Sequence, residues 1–475
     1  NMRSKHVPGD WDKIIDTVRK NYKGDFQDVR REIASKHLGI DPKKIIFINH
    51  HRAHAYYAYY ASPLRDKALI LTADAWGDGV NASINVAGDK ITNLCNFSNF
   101  IIGRLYRYIT LILGMKPSEH EYKVMGLSAY AKSKYYQKAL DVFKKLMYVD
   151  GLEFKYREVP SDLYFYFRNK LEGFRFDVIA GALQQYTQDI LTDWASNALK
   201  ITDTRKICFS GGVAMNIKAI MEIAKLPAVE DIFICPSPSD DSLAMGSAYV
   251  VADDFFKDIP LKSLDNAYLG LDINDTEDVI KQAYSNGYKI SRYNPKEAAD
   301  MIVKGNIIAR CVGRNEFGAR ALGNRSILAN PQKLEIVKTI NEKIKSRDFW
   351  MPFAPSILSE KADDYLVNPK GLKSPYMTMA FETKPSTRGD LKAALHQYDL
   401  TTRPQVLERE TNPQYHELIW EFYKLTGVGG VLNTSFNVHG EPIVQTAKDA
   451  FDVFERTGLD ALVLGDNLIQ KNEQK

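Results

Sequence analysis

The sequence has little cysteine and no long apolar run. Its four cysteines are far apart, and no two of them form a CxxC pair. Such spacing argues against a structural zinc site and a disulfide framework, and it predicts buried thiols in a reducing compartment. No apolar run has the length that a bilayer requires, and no signal peptide is visible. We therefore expect a cytoplasmic protein with no membrane partner.

An excess of charge of one sign is also missing. The chain carries 63 Lys and Arg against 59 Asp and Glu, a net charge of +4 over 475 residues. A net charge this small does not indicate a surface that binds nucleic acid, so no nucleic-acid partner is expected. The length predicts two or three domains, and the composition, 45% hydrophobic and 26% charged, is that of an ordinary globular protein.

Two histidines four residues apart form the most informative motif. His50 and His54 follow a strand-like run at 44–48 and begin a segment rich in Ala and Tyr that can continue as a helix. On a helix, positions i and i+4 share a face, so two imidazoles there make half of a metal site. The zinc-protease motif is excluded, because it needs a glutamate where His51 stands. Buried core histidines remain the alternative at this point.

Strands and helices alternate along the chain, which is typical of an α/β fold. The stretch 106–199 is predicted to be mainly helical, and 261–275 is predicted to connect two α/β units. Strands are predicted at 44–48, 68–72, 83–86, 206–209, 231–235 and 306–311, and helices at 11–20, 55–61, 213–224, from 242 and around 278 and 295.

Two glycine loops before residue 261 follow predicted strands. Asp74 precedes a Gly-Asp-Gly turn, and a carboxylate so placed can hold a divalent cation or orient a water. Ser210, Gly211 and Gly212 form the second loop, where the backbone can lie against a nucleotide and the following helix start favours anions. Taken alone, either loop is also explained as a structural turn.

Asp240 and Asp241 stand at a predicted helix start. Either one is explained as a helix N-cap. A carboxylate is also the natural third ligand beside two histidines. The spacing leaves open which role applies and which of the two aspartates turns inward.

The region after residue 275 is rich in basic and amide side chains among glycines. Three arginines lie within 313–326, Lys345 and Arg347 follow, and a strand near the end runs into a loop with Ser435 and Asn437. Arginines flanked by glycine often hold phosphate or carboxylate groups, because the guanidinium offers bidentate donors. Together these segments predict a basic, phosphate-binding cleft.

In the order of these motifs the chain resembles the O-carbamoyltransferases of the nodulation and antibiotic-biosynthesis type. The resemblance covers nearly the whole chain, and its longest signatures lie at 50–55, 121–127, 210–216, 313–330, 351–357 and 432–444. In that family the first domain is similar to the transferase that makes threonylcarbamoyl-adenosine in tRNA, with an actin-like ATPase (ribonuclease-H-like) fold. The second domain is similar to YrdC. The resemblance thus implies an α/β actin-like domain at 1–265 and a YrdC-like α/β domain at 276–475.

The resemblance also implies roles for residues of the first domain. The family's metal-binding pattern falls on His50, His54 and Asp240, with Fe(II) as the expected metal. Asp74 is expected to orient or deprotonate the hydroxyl of the acceptor. The expected adenosine site consists of Ser210, Gly211, Gly212 and Asn216.

For the second domain, the resemblance implies the formation of carbamoyl adenylate from carbamoyl phosphate and ATP, with Mg²⁺ accompanying the nucleotide. The family's K-x-R and S-x-N signature falls on Lys345, Arg347, Ser435 and Asn437. Lys345 and Arg347, with Arg320 and Arg325, are expected to hold the phosphates. Ser435 and Asn437 are expected to contact the nucleotide or the carbamoyl group.

The partners implied are carbamoyl phosphate, ATP, a hydroxylated small molecule such as a sugar or natural product, and a second copy in a homodimer. The main alternative is a threonylcarbamoyl-adenosine tRNA-modifying enzyme. A hydrogenase-maturation carbamoyltransferase would carry zinc-finger cysteines and the reverse domain order, and a nucleotide-sensing regulator would not need the basic cleft. Family members begin with a strand-turn-strand that this sequence does not show, so we expect N-terminal residues to be missing from it.

Overall fold

The computed structural model describes residues 26–256, 258–345 and 347–471, and the helix predicted at 11–20 lies outside them. The chain divides into two units, at 1–49 and 50–475. The described part of the first unit holds helix α1 (Phe26–Leu38) and a 3-10 turn (Pro42–Lys44). The turn is capped by the Asp41 carboxylate, which accepts from Lys43 N at 2.8 Å.

The strand predicted at 44–48 is wrong. Lys44 ends the 3-10 turn, and 45–49 have no regular structure. The apolar run Ile45-Ile46-Phe47-Ile48 has the composition of a strand, but a strand also needs a neighbour, and within the described residues none pairs with it. Ile46 is 51% exposed, as an unpaired segment allows.

The second unit begins with the elements of a first sheet and the helices around it. In chain order these are α2 (His50–Tyr60), β1 (Ala68–Gly77), β2 (Val80–Ala87), β3 (Ile91–Phe97), α3 (Ile102–Ile112), α4 (Glu121–Ser128), α5 (Ser133–Lys144), β4 (Met147–Asp150), β5 (Glu153–Tyr156), α6 (Leu163–Lys170), α7 (Phe176–Thr202), β6 (Lys206–Ser210), α8 (Ile217–Lys225), β7 (Asp231–Phe233) and α9 (Leu243–Phe255). Strand β3 and the β4–β5 hairpin were not predicted.

The first sheet has the order β3-β2-β1-β6-β7. Strands β1, β2 and β3 form an antiparallel meander, while β6 and β7 run parallel to β1. This is the arrangement of the ribonuclease-H-like class that the resemblance implies. Thr72 of β1 pairs with Ser210 of β6, so the carboxyl ends of both strands meet at one edge. Loops at such an edge are where α/β proteins place their sites.

The second half of this unit forms a mixed sheet of eight strands, ordered β12-β11-β13-β10-β9-β14-β15-β8. Its elements are α10 (Thr276–Ser285), β8 (Lys289–Arg292), α11 (Pro295–Lys304), β9 (Ile308–Cys311), β10 (Arg325–Ala329), α12 (Glu335–Ile340), a π-helical turn (Asn341–Lys345), β11 (Ala354–Leu358), α13 (Ala362–Tyr365), β12 (Gln405–Leu407), α14 (Pro413–Thr426), β13 (Gly430–Ser435), α15 (Ala447–Arg456), β14 (Ala461–Leu464) and β15 (Asn467–Gln470). The chain is therefore α/β in both halves, as predicted.

The two halves share buried apolar side chains. One continuous core cluster includes Leu71 and Phe209 of the first sheet together with Ile357 and Val463 of the second. The two halves are therefore held in one packed body. Across the described ranges, every helix is too short or too polar to cross a membrane.

Candidate functional site

Helix α2 carries the histidine pair to the carboxyl edge of the first sheet. The Asp78 carboxylate accepts from the His50 amide at 2.8 Å and so satisfies a donor at the helix start. Two glycines make room for this helix. A Cβ on Gly77 would lie 2.2 Å from Cδ2 of His50, and one on Gly246 of α9 would lie 2.1 Å from the carbonyl oxygen of Ala53. The steric role of both glycines was not predicted, because it depends on a contact with a residue distant in sequence.

Four side chains converge at this edge: His50, His54, Asp74 and Asp240, each with a ligand atom within 4.8 Å of the others. From Asp74 Oδ2, the distances are 3.7 Å to Nε2 of His50 and 3.5 Å to Nε2 of His54. From Asp240 Oδ1, they are 3.5 and 3.4 Å. Both Nε2 atoms are buried, and among the described residues neither has a hydrogen-bond partner. A divalent cation would satisfy them, so the donor set of two imidazoles and two carboxylates fits a metal.

A hydroxyl behind the cluster fixes the orientation of His54. Ser210 Oγ lies 3.1 Å from Nδ1 of His54 and donates its own proton to the Pro238 carbonyl at 2.9 Å. The hydroxyl therefore accepts from Nδ1–H, and Nε2 faces the cluster with a free lone pair. Ser210 was predicted to seat adenosine. The structure places it, buried, behind a metal-ligand candidate instead.

Asp74 is held by backbone amides as well as by the histidines. It accepts from Ala75 N at 2.6 Å and from Gly212 N at 3.0 Å. Burial works to raise the pKa of Asp74, but both histidines and these two amides outweigh it and hold the pKa well below its usual range. Gly211 lets this loop approach, since a Cβ there would lie 2.2 Å from the Ala73 carbonyl oxygen. The structure groups Asp74 with the metal-ligand candidates, a place its predicted role on the acceptor hydroxyl did not include.

The geometry also separates Asp240 from Asp241. Asp241 accepts a short hydrogen bond from the Ser237 hydroxyl, whereas Asp240 faces both histidines. Burial lowers the pKa of His54, but the Asp240 and Asp74 carboxylates, at 3.4 and 3.5 Å from Nε2, outweigh burial and raise it. His51 does not join the cluster, because its ring is engaged by Thr72 Oγ1 at 2.7 Å and the Val80 carbonyl at 3.0 Å.

A cavity of 520 Å³ opens beside the cluster. Asp74 and Asp240 line one end, and Gly212 and Asn216, both predicted for adenosine, line its wall. Asn216 is buried and caps α8 by accepting from Ala219 N at 3.0 Å, which is why this helix starts later than predicted. The space is large enough for a small organic molecule.

In the second half, the predicted signature residues are in direct contact. Lys345 Nζ donates to Ser435 Oγ at 3.1 Å and to Asn437 Oδ1 at 2.5 Å. A third, short bond reaches the Ser435 carbonyl. Lys345 lies at the end of the π-helical turn, and burial lowers its pKa well below the usual value. The structure thus brings together Lys345, Ser435 and Asn437, as their shared family signature implies.

Three guanidinium groups gather close by, on Arg320, Arg347 and Arg403. Burial lowers the pKa of Arg320 and of Arg347 to about 10, and burial with repulsion from these two lowers the pKa of Arg403 well below its usual value. Arg347 donates to Asn341 Oδ1 at 2.8 Å and lies 4.0 Å from the Phe353 ring centroid. Among the described residues, no carboxylate forms an ion pair with any of the three. Arg403 was missed, since no glycine motif surrounds it.

Arg325 does not join this group. Its guanidinium donates to the backbone carbonyls of Val312, Gly313, Asn324 and Gln445, which uses all five of its N–H groups. The side chain is fully buried on β10. The prediction that Arg325 holds phosphate is therefore corrected: in this structure Arg325 anchors the glycine loop.

Arg320 also lies where the two halves meet. It lines the 520 Å³ cavity together with Tyr122 and Met125 of α4, and the same three residues line a narrow cavity of 70 Å³ that Arg403 borders. A further cavity of 830 Å³ is lined by Asn341, Arg347 and other residues of the second half. The cluster and the guanidinium groups are therefore joined along a shared wall.

Both halves match family models. Residues 18–249 match the model described as Carbamoyltransferase N-terminus, and residues 299–471 match Carbamoyltransferase C-terminus. The metal-ligand candidates fall within the first match, and the guanidinium groups and Lys345 fall within the second.

Relatives align over most of the chain. Protein MJ1051 of Methanocaldococcus jannaschii is 34% identical, covering 90% of this chain and 84% of its own. Nodulation protein NolO of Bradyrhizobium diazoefficiens is 32% identical, covering 89% and 79%. Nodulation protein NolNO of Sinorhizobium fredii is 32% identical, covering 91% and 65%. Among solved structures, full-length HypF in its phosphate- and nucleotide-bound form is 15% identical, with a TM-score of 0.28 over 45% of this chain and 37% of its own.

Proposed function

Because this chain belongs to the carbamoyltransferase family, we propose that it moves the carbamoyl group of carbamoyl phosphate, through carbamoyl adenylate, to a hydroxyl of a sugar or natural-product acceptor. One observation carries the proposal. A four-residue metal-ligand set and a cluster of guanidinium groups without carboxylate partners among the described residues border cavities that share Arg320.

The first stage belongs to the second half. Water cleaves carbamoyl phosphate into carbamate and inorganic phosphate, and a carbamate oxygen then attacks the α-phosphorus of ATP. Carbamoyl adenylate forms, and the bond to pyrophosphate breaks. Arg320, Arg347 and Arg403 would offset the phosphate charge, since fixed cations in a dry site stabilise charge that moves during reaction. Mg²⁺ would accompany ATP.

Lys345 has a different part in this stage. Its ammonium is fixed by Ser435 and Asn437 at the end of a buried turn. This arrangement supports a role in orienting the carbamoyl group or the α-phosphate, because an anion bound beside the buried amine favours its charged form.

The second stage belongs to the first half. The acceptor oxygen attacks the carbamoyl carbon, AMP leaves, and the hydroxyl proton must be taken up. A divalent cation, Fe(II) by family resemblance, would supply Lewis acidity toward the carbamoyl oxygen. His50, His54, Asp74 and Asp240 would hold it. Asp240, whose side chain is 61% exposed, would take the proton through Oδ2, while Gly212 and Asn216 border the space for the adenosine part.

The shared wall supports a transfer between the stages that avoids bulk water. A mixed anhydride hydrolyses readily when it meets solvent, so a route inside the protein protects it. The 70 Å³ cavity between the two regions is too narrow for an adenylate at rest, so passage requires the side chains of Tyr122, Met125 and Arg320 to move.

The test is pyrophosphate release by the purified protein with ATP and Mg²⁺, with and without carbamoyl phosphate. We expect release that depends on carbamoyl phosphate. Release that depends instead on threonine and bicarbonate would overturn the proposal in favour of the tRNA-modifying reaction, and no release from folded protein under either condition would overturn the adenylate route.

A further inference from the structure

The signature helix α4 contributes to both halves. Tyr122 and Met125 line the cavity beside the metal-ligand set, while Gly126 faces the second half. A Cβ on Gly126 would lie 3.6 Å from both Met351 Sδ and Pro352 Cδ. The function proposed above uses this helix only as a wall. It leaves the one buried charged residue of the helix, Lys123, without a role.

Lys123 is 5% exposed and reaches across to the second half. Its ammonium lies 2.9 Å from Asp348 Oδ2 and 3.3 Å from His439 Nε2. Asp348 directly follows Arg347 in the chain, and both line the 830 Å³ cavity with His439. A lysine buried to this degree needs partners that repay its desolvation, and here both partners border the adenylate-forming region.

The contact also reaches Lys345 through the backbone. The His439 amide donates to the Lys345 carbonyl at 3.1 Å, so the residue that accepts from Lys123 is tied to the end of the π-helical turn. Lys123 is therefore linked to Lys345 through His439 and to Arg347 through Asp348. Neither link requires Lys123 to touch a substrate.

We propose, resting on the proposed adenylate-forming function, that Lys123 of the first half is a positioning residue for the anion site of the second half. It neutralises the Asp348 carboxylate beside the cavity and holds Lys345 in place through His439. Without its charge, Asp348 would stand uncompensated near the path of incoming phosphates, and like charges at short range repel. On this proposal, tight binding of polyphosphate by the second half depends on Lys123 of the first half.

The test uses charge-neutral replacements on both sides of the ion pair. Inorganic pyrophosphate is the binding probe, titrated by calorimetry into Lys123→Met, Asp348→Asn and the double variant. For Lys123→Met we expect binding weaker by about tenfold, the effect of one uncompensated charge. For the double variant we expect recovery to within about threefold of the unsubstituted protein, since the repelling carboxylate is gone. Loss of packing alone would not be reversed by a second substitution.

Catalysis gives a parallel readout in carbamoyl phosphate-dependent pyrophosphate release. We expect Lys123→Met to raise the KM for ATP about tenfold with kcat changed by less than about threefold, and Lys123→Arg to restore most of the loss. Lys138→Met, on the exposed face of α5, is the matched control and should leave both parameters unchanged.

Two results would overturn the assignment: unchanged pyrophosphate binding by Lys123→Met, or a double variant as weak as Lys123→Met although folded. Failure of the proposed function is distinguishable. There, the unsubstituted protein would release no pyrophosphate from ATP, while the calorimetric comparison of the variants would still decide the role of Lys123. If Lys123→Met does not fold, Asp348→Asn alone decides, since it must bind pyrophosphate at least as tightly as the unsubstituted protein.

Discussion

Ser210 Oγ lies 3.1 Å from Nδ1 of His54, on the side of the ring away from the cluster that includes Asp74 and Asp240. The hydroxyl thereby selects the tautomer of a metal-ligand candidate. The register of the first sheet produces this contact, because it places the end of β6 beside β1, against which α2 packs.

We predict that Ser210→Ala weakens binding of a divalent metal by about ten- to a hundredfold, the range typical for losing a partner behind a ligand. The alanine leaves Nδ1 without an acceptor, so His54 no longer favours the tautomer with a free Nε2. Titration with Co²⁺, followed by its visible absorption, measures the affinity. Ser62→Ala is the control, since Ser62 is a buried hydroxyl at the end of α2 that bonds the Tyr59 carbonyl. Equal affinity in both variants would contradict the orienting role.

We predict that Gly77→Ala costs the protein its metal affinity more than its fold. The new Cβ would meet the His50 imidazole at 2.2 Å, so the ring must leave its place in the cluster. We expect affinity for Co²⁺ to fall at least about tenfold, with a loss of stability of about 1–3 kcal/mol from the local shift. Gly88→Ala is the control, because no heavy atom of the described residues lies within 4 Å of its Cβ position. A variant of Gly77 with normal affinity would show that His50 is not a ligand.

The histidine pair could be predicted because its geometry is local. A helix alone places residues i and i+4 side by side, and α2 forms where the sequence favours it. The role of Asp74 could not be predicted in the same way. Its neighbours are His50, His54 and Gly212, and the last of these comes from another strand end. Gly212 lies beside Asp74 only because β1 pairs with β6, and no spacing in the sequence encodes this pairing.

Arg325 and the run at 44–48 illustrate the opposite error. A glycine-flanked arginine matches a phosphate-binding pattern, yet glycines also expose the backbone carbonyls that Arg325 uses. An apolar run matches a strand, yet strand formation needs hydrogen-bond partners from elsewhere in the chain. In both cases a partner that lies far away in sequence decides the structure.

We predict that Lys345→Ala abolishes pyrophosphate release from ATP and carbamoyl phosphate. The substitution removes the ammonium that Ser435 and Asn437 hold in place, and a fixed charge of this kind contributes about a hundredfold or more to rate. Lys343→Ala, on the exposed side of the same turn, is the control. Release at the normal rate by folded Lys345→Ala would remove Lys345 from the first stage.

We predict the complementary behaviour for His54→Ala. This variant should keep carbamoyl phosphate-dependent pyrophosphate release, because the cluster and Lys345 belong to different halves, but it should no longer carbamoylate an acceptor. Product analysis with radiolabelled carbamoyl phosphate separates the two steps. Loss of both activities in a folded variant would contradict the division into two sites.

The last prediction concerns pH. His396 is 4% exposed, its Nε2 donates to the Gly126 carbonyl at 2.9 Å, and its Nδ1 accepts from the Tyr398 amide at 3.2 Å. Both ring nitrogens are thus satisfied in the neutral form. Burial, opposed by the bond to Gly126, lowers the pKa of His396 from 6.5 to about 4. The folded ring therefore resists a proton that the unfolded chain binds below pH 6.5.

Stability should consequently fall as pH drops from 6.5 toward 4, since in that window the unfolded state binds more protons. The contribution of His396 is at most about 3.5 kcal/mol, from about 1.4 kcal/mol for each unit of the shift from 6.5 to about 4. In His396→Gln, which keeps a donor and an acceptor but does not titrate, the denaturant midpoint should decline less over this range. His37→Gln is the control, because the exposed His37 meets water in the folded chain as well as the unfolded one. Parallel pH profiles for His396→Gln and the unsubstituted protein would show that folding does not lower the pKa of His396, and that its contacts with Gly126 and Tyr398 do not enforce the neutral ring.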